Sequence, residues 1–133
     1  MGPHVDLSVC RACRCLAARR YARAVTRLFE NKLRPHGLRA TQFSVLAALA
    51  LKGPTGVTEL AGMLGLERTT LTRVAAVLER NGWISVGRED DGRRRPFRLT
   101  GGGRRKVEGA FQAWKEAQDQ AGRRLAGPVR QAG

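Results

Sequence analysis

Residues 66–83, "LERTTLTRVAAVLERNGW", decide how the rest of the chain is read. Leu71, Val74, Ala75 and Leu78 recur at three- and four-residue spacing, so they share one face of an α-helix and mark its buried side. The same period leaves Arg68, Thr69, Thr72 and Arg73, with Thr70 beside them, on the outer face and at the N-terminal end. Asn81-Gly82 ends the helix, Gly82 being suited to the left-handed position after the last turn. β-Branched threonines are disfavoured in helices, so three of them at an exposed helix start make poor filler and imply something to touch. The plain alternative is a solvated helix face.

Working outward, "VTELAGMLG" (57–65) reads as a short helix with Leu60, Ala61 and Leu64 inward. Gly62 inside it costs about 1 kcal/mol relative to Ala, so this helix depends on packing. Gly65 makes the turn between the two. Two helices joined by a tight turn, the second carrying polar and basic residues at its start, form a helix-turn-helix whose second helix enters the DNA major groove. Arg68 and Arg73 suit bidentate contacts to guanine or contacts to phosphate. Thr69, Thr70 and Thr72 can hydrogen-bond bases or phosphates, and a threonine methyl can pack on a thymine methyl.

Beyond Gly82 the period changes to two. "WISVGR" and "PFRLT" flank "EDDGRRR", where Asp91-Gly92 is a hairpin-turn signal. Ile84 and Val86 on one strand face Phe97 and Leu99 on the other, and Pro96 suits an edge position. The tip carries Arg88, Arg93, Arg94 and Arg95, with Arg98 behind it. Such a wing would lie along the DNA backbone and offer an arginine to the minor groove. Asp91, two residues before Arg93, is placed to hold that guanidinium in a fixed pose.

A first helix is expected from Cys13 to Asn31, with Ala17, Tyr21, Ala24 and Leu28 inward. "LRPHGL" breaks it, and Thr41 is the expected N-cap of an apolar helix, "QFSVLAALAL". "KGPTG" (52–56) is the next break. After the glycine-rich "LTGGG", a last helix is expected from about Arg104 to Leu125, with Val107, Phe111, Trp114, Gln118, Ala121 and Leu125 on one stripe. The fold class is therefore mainly α with a small β-hairpin wing, one winged helix-turn-helix domain over residues 1–133.

The global composition agrees. Lys and Arg outnumber Asp and Glu by 25 to 11, a net charge of +14 that repels itself and implies a polyanionic partner. Double-stranded DNA fits. A membrane surface fits less well, since no stretch approaches the ~18 apolar residues of a spanning helix. The N-terminus has no apolar run like a signal peptide's, so the chain is read as cytoplasmic. No paired-carboxylate, Ser-His-Asp, Cys-His or phosphate-loop pattern is present, and His4 and His36 sit in an arm and a turn. The sequence therefore reads as no enzyme and calls for no cofactor. A sequence-independent basic nucleic-acid-binding protein remains the alternative. Aromatics at 5% supply little of the stacking platform that single-strand binding uses.

The joined runs "GLRATQFSVLAALA", "TELAGMLGLERTTLTRVAAVLERNGWISV" and "DGRRRPFRLT" resemble the MarR family of bacterial transcription regulators, over roughly residues 13 to 120. The resemblance implies a homodimer, with residues 13–31 and 104–125 as dimerisation helices and 38–100 as a DNA-binding lobe. It further implies a palindromic operator, repression as the default, and release by a small ligand or an oxidant. Carried over by position, DNA contacts fall on Arg68, Thr69, Thr70, Thr72 and Arg73, and on Asp91 and Arg93 of the wing. Three features depart from the family. Glu67 stands where it favours Asp or Ser as N-cap, "LTGGG" lacks its helix formers, and the sequence ends soon after the Trp114 helix.

Cys10, Cys13 and Cys15 crowd into six residues. Three ligands without a second pair do not make a structural zinc site, so no metal is expected. "CLAARRYARAVTRLF" resembles the first helix of the hydroperoxide-sensing branch of the same family, and Cys15 falls on that branch's reactive cysteine. Arg19 and Phe29 stand where the branch has tyrosines, on the Cys15 face of the helix. A cation at Arg19 favours a thiolate. Oxidation of Cys15 and a disulfide to Cys13 or Cys10 is the switch this implies. The other reading is a small apolar cysteine.

Overall fold

In the computed structural model, residues 2, 4–87 and 95–124 are described. A 3-10 turn at Leu7–Ala12 leads into α1 (Arg14–Leu33), followed by α2 (Ala40–Lys52), α3 (Val57–Leu64) and α4 (Arg68–Arg80). Strands β1 (Ile84–Val86) and β2 (Phe97–Leu99) come next, then α5 (Gly101–Arg124). The fold class read from sequence holds: mainly helical, with a helix-turn-helix and a two-stranded hairpin.

The core gathers from every element. Leu33, Val45, Leu46, Leu60, Leu71 and Leu78 are completely buried, and Ile84 and Phe97 bring the hairpin into the same cluster. The strands pair antiparallel with Ile84 opposite Leu99 and Val86 opposite Phe97, so one face of the hairpin is apolar. A third segment joins them. Thr55, inside the expected break, exchanges both backbone hydrogen bonds with Phe97, at 3.1 and 2.8 Å. That bridge anchors β2 to the loop ahead of α3. A single paired residue leaves no periodic signal in the sequence.

Several boundaries differ from expectation. α2 starts at Ala40, and Thr41 is its second residue rather than its cap. One open N–H group is met from another helix: the Glu30 carboxylate of α1 accepts from the Ala40 N–H, and its other oxygen accepts from Arg39 Nε at 2.5 Å. Gln42 Oε1 also accepts from the Arg39 N–H, at 2.8 Å. Glu30 therefore joins α1 to the start of α2.

α5 starts at Gly101, three residues before the expected Arg104. Thr100 supplies the cap, its Oγ1 accepting from the Gly103 N–H at 3.0 Å while donating to the Gly82 carbonyl at 2.6 Å. Gly103 has to be glycine, since a Cβ there would lie 2.0 Å from the Trp83 carbonyl oxygen. The "GGG" run is thus a close crossing of α5 over the end of the recognition lobe.

The inward faces of the long helices also shift. On α5 the buried residues are Gly103, Val107, Ala110, Ala113 and Ala117, a row of small side chains. Phe111 is 50% exposed, Gln118 is exposed, and Leu125 lies outside the described residues. Small residues let the neighbouring backbones approach closely, and this outweighs the apolar volume of Phe111. On α1, Ala17 and Ala24 are exposed, whereas Phe29 packs against the core. The N-terminal half of α1 runs past the core, so its period cannot be set by burial.

Two substitutions test these contacts. Gly103→Ala should destabilise the fold by about 3 kcal/mol, as overpacking against a fixed carbonyl does, with loss of melting temperature as the readout. Glu30→Ala removes an acceptor shared by a charged and a backbone donor at a partly buried site. It should cost about 1–3 kcal/mol, measured by urea unfolding, while Glu116→Ala, whose carboxylate reaches Lys32 at 3.8 Å in the open, should cost little.

Candidate nucleic-acid interface

α3 ends at Gly65, whose φ of 63° carries the chain into the turn before α4. The Leu66 N–H reaches back to the Ala61 carbonyl at 2.9 Å, closing a Schellman motif that sets the angle between the two helices. The same closure ends α4, with Gly82 at φ 76° and the Trp83 N–H on the Leu78 carbonyl at 3.0 Å.

α4 buries Leu71, Ala75 and Leu78, with Val74 half-buried, as the period predicts. Rotation about the helix axis is fixed by that seam, and Arg68, Thr69, Thr70, Thr72 and Arg73 are all exposed. Four of them, Arg68, Thr69, Thr72 and Arg73, border one open groove of about 870 Å³ between α3 and α4. Thr58 and Gly62 of α3 form its opposite wall, and neither was placed at the interface from sequence. Gly62 had a signal: of the residues of α3 it costs the most helix propensity. Its missing Cβ serves no packing, for nothing lies within 4 Å of where that atom would be. It keeps the α3 side of the groove low.

Thr72 has a narrower chemistry than its hydroxyl suggests. Its Oγ1 donates to the Arg68 carbonyl at 2.8 Å, which leaves only lone pairs and the methyl to face outward. In this rotamer Thr72 can accept from a base amino group or touch a methyl, but it has no proton for a phosphate. Glu67, at the cap position of α4, makes no side-chain cap bond. The first N–H groups of α4 therefore stay open beside Arg68, in the position where helices receive anions.

Arg73 looks two ways. It also borders a second cavity of about 390 Å³ with Thr26 and Glu30 of α1, Arg39 ahead of α2, and Thr41 and Gln42 of α2. The groove side chains and the Glu30 link thus share a neighbour. Of the wing residues, Arg95 and Arg98 are exposed. Asp91, Arg93 and Arg94 lie outside the described residues, so the Asp91–Arg93 pose and the tip are not described.

The cysteines stand apart from this surface. Cys10 lies in the 3-10 turn, Cys13 stands at the N-cap position of α1 without a side-chain cap bond, and Cys15 is in its first turn. All three are free thiols and exposed in the single chain, so Cys15 is not a buried apolar filler there. Arg19 is where the helical period puts it, with Nη2 3.6 Å from Cys15 Sγ. Phe29 is not beside them, because it turns into the core further along the helix.

Comparison with known proteins agrees with this layout. Residues 38–95, from just ahead of α2 to just ahead of β2, match the MarR family. The HTH-type transcriptional regulator YwoH of Bacillus subtilis is 34% identical over 87 residues, 65% of this chain and 64% of YwoH. This chain therefore spans a little under two thirds of that relative. MosR, a transcriptional regulator of M. tuberculosis, superposes with a TM-score of 0.78 at 34% identity, over 88% of this chain and 85% of MosR. Its complex with DNA gives 0.76 at 36% identity, over 86% and 84%. Reduced AbfR bound to DNA gives 0.69 at 29% identity, over 77% and 75%, and AbfR has also been solved overoxidized on DNA and with its disulfide formed. With the family match spanning the helix pair, and with MosR 34% identical and alike in shape over 88% of this chain, the chain belongs to the MarR family.

Proposed function

We propose that this protein is a sequence-specific DNA-binding transcription regulator, a repressor that reads a palindromic operator as a homodimer. The observation that carries this is the exposed start of α4. Arg68, Thr69, Thr72 and Arg73 border one groove, and the seam of Leu71, Ala75 and Leu78 prevents the helix from turning them away. Arg68, Thr69, Thr70, Thr72 and Arg73 contact the major groove. Thr72 acts as acceptor or methyl contact, and the open N–H groups of α4 sit against a phosphate. Asp91, Arg93, Arg94 and Arg95 belong to the wing and track the backbone. α1 and α5 carry the dimer contacts. MosR and AbfR, solved on DNA, support the reading by similarity.

Selection from random duplex DNA by the reduced protein at near-physiological salt should enrich a palindrome with half-sites about one helical turn apart. Arg73→Ala should relax base preference at one position of each half-site. Arg94→Ala should instead weaken all sequences alike and flatten the salt dependence by about one unit of slope. An unenriched pool with tight, salt-steep binding would favour the sequence-independent alternative.

The signal we favour is oxidation of the exposed cysteine group, with Cys15 the first thiol to react. A hydroperoxide would convert the Cys15 thiolate to sulfenic acid and leave as the alcohol. The thiol of Cys13 or Cys10 would then attack that sulfur, forming a disulfide and expelling water. The accessibility of all three and the Arg19 guanidinium beside Cys15 support this. A small ligand between the lobe and the terminal helices is the other release signal, favoured by the cavity that Arg39 and Arg73 share. Operator binding by the parent should fall on hydroperoxide treatment and return with dithiothreitol, while Cys15→Ser should stay bound. If Cys15→Ser is released as readily as the parent, the thiol switch is wrong.

A further inference from the structure

Helix α3 contains a glycine that the fold does not ask for. Gly62 lies inside the helix, where glycine is the costliest residue short of proline. A glycine held against that cost has three ordinary uses: a left-handed backbone, a close crossing by another part of the chain, or close approach by a ligand. The first does not apply, since the glycines with positive φ are Gly37, Gly53, Gly65 and Gly82. Nor does the second. Outside its own turn of helix, a Cβ at Gly62 would meet no atom of the described residues within 4 Å, whereas one at Gly103 would strike the Trp83 carbonyl.

Gly109 and Gly122 of α5 also meet nothing, so open space by itself decides nothing. What sets Gly62 apart is its neighbours. Gly62 and Thr58 are four residues apart on one face of α3, and both are exposed. They border the groove across from Arg68, Thr69 and Arg73. Two guanidinium groups against the single Glu67 carboxylate leave the rim of that groove cationic.

In a helix-turn-helix the second helix enters the major groove while the first crosses the sugar-phosphate backbone at its edge. A backbone strand that borders the groove α4 enters meets α3 on the side turned towards the start of α4. That is the face of Thr58 and Gly62. Any side chain standing there holds Arg68 and Arg73 further from the bases, and a short donor there can reach a phosphate.

We propose that Gly62 is a clearance position for DNA. The sugar-phosphate backbone lies against the helix backbone of α3 at Gly62, and the Thr58 hydroxyl donates to one of its phosphates. This rests on the DNA-binding reading above and adds to it a contact on the first helix, one that sets how deeply α4 is seated. The contact carries no base information and uses no cation, so its salt dependence separates it from the arginines.

The test measures stability and binding on the same variants. Gly62→Ala and Gly62→Leu both introduce good helix formers at an open position, so each should melt roughly 2–6 °C above the parent. Affinity for a labelled duplex from the pool the parent selects should nevertheless fall about tenfold for Gly62→Ala and further for Gly62→Leu. Thr58→Val keeps the shape and removes the hydroxyl. Ethylation of one phosphate in each half-site should block the parent and cease to matter to Thr58→Val, with base preference retained. A Gly62→Ala protein that melts higher and binds as tightly as the parent would overturn the clearance role and leave the DNA reading standing. One that melts lower would show the glycine to be structural and overturn it equally. An unchanged ethylation pattern in Thr58→Val would remove the phosphate contact. A parent that binds no duplex DNA would remove the reading itself, and this proposal with it.

Discussion

Burial of Leu71, Ala75 and Leu78 is the constraint on which the rest of this molecule depends. A helix has one degree of freedom that its own hydrogen bonds do not fix, rotation about its axis, and an apolar seam removes it. Once that seam is locked onto the core, the side chains on the outer face have no choice of direction. The groove between α3 and α4 is therefore a by-product of core packing, and its chemistry could vary without disturbing the fold.

A second contact sets how the lobe sits on its supporting helices. Glu30 caps α2 from α1, and the neighbouring cavity is shared with Arg73. A carboxylate holding both a guanidinium and a backbone N–H is directional, unlike the leucines around it. A change in α1 reaches the start of α2 through one side chain, and α2 packs in turn on α4. The exposed cysteines occupy the opposite end of α1 and the turn before it, which puts the proposed chemistry and the proposed DNA surface at two ends of one rigid rod.

The apolar surfaces divide in the same way. Where α1 lies over the lobe it is partly covered, and where it runs beyond the core it is exposed with the arm that precedes it. Val5, Leu7 and Val9 are exposed on the capped turn before α1, and Leu51 and Phe111 border an aromatic groove between α2 and α5.

The sequence by itself determined the elements whose signals are local and periodic. Leu71, Ala75 and Leu78 marked the buried face of α4, Gly65 and Gly82 its flanking turns, and Ile84 with Phe97 the inward face of the hairpin. The threonine–arginine cluster was legible because exposure follows from the same period. Tertiary structure alone decided what depends on distant partners. The cap of α2 comes from Glu30, ten residues away and on another helix, so Thr41 was the better local candidate and still not the cap. Gly103 reads as a poor helix residue until the Trp83 carbonyl is seen against it. Thr55 pairs through one residue, too short for any period. The face of α5 followed close approach of alanines to neighbouring backbones rather than the largest apolar side chains. Periodicity reports which way a residue points relative to its own helix. What it meets there is set by chain packing, where a carboxylate or a carbonyl from elsewhere overrides local preference.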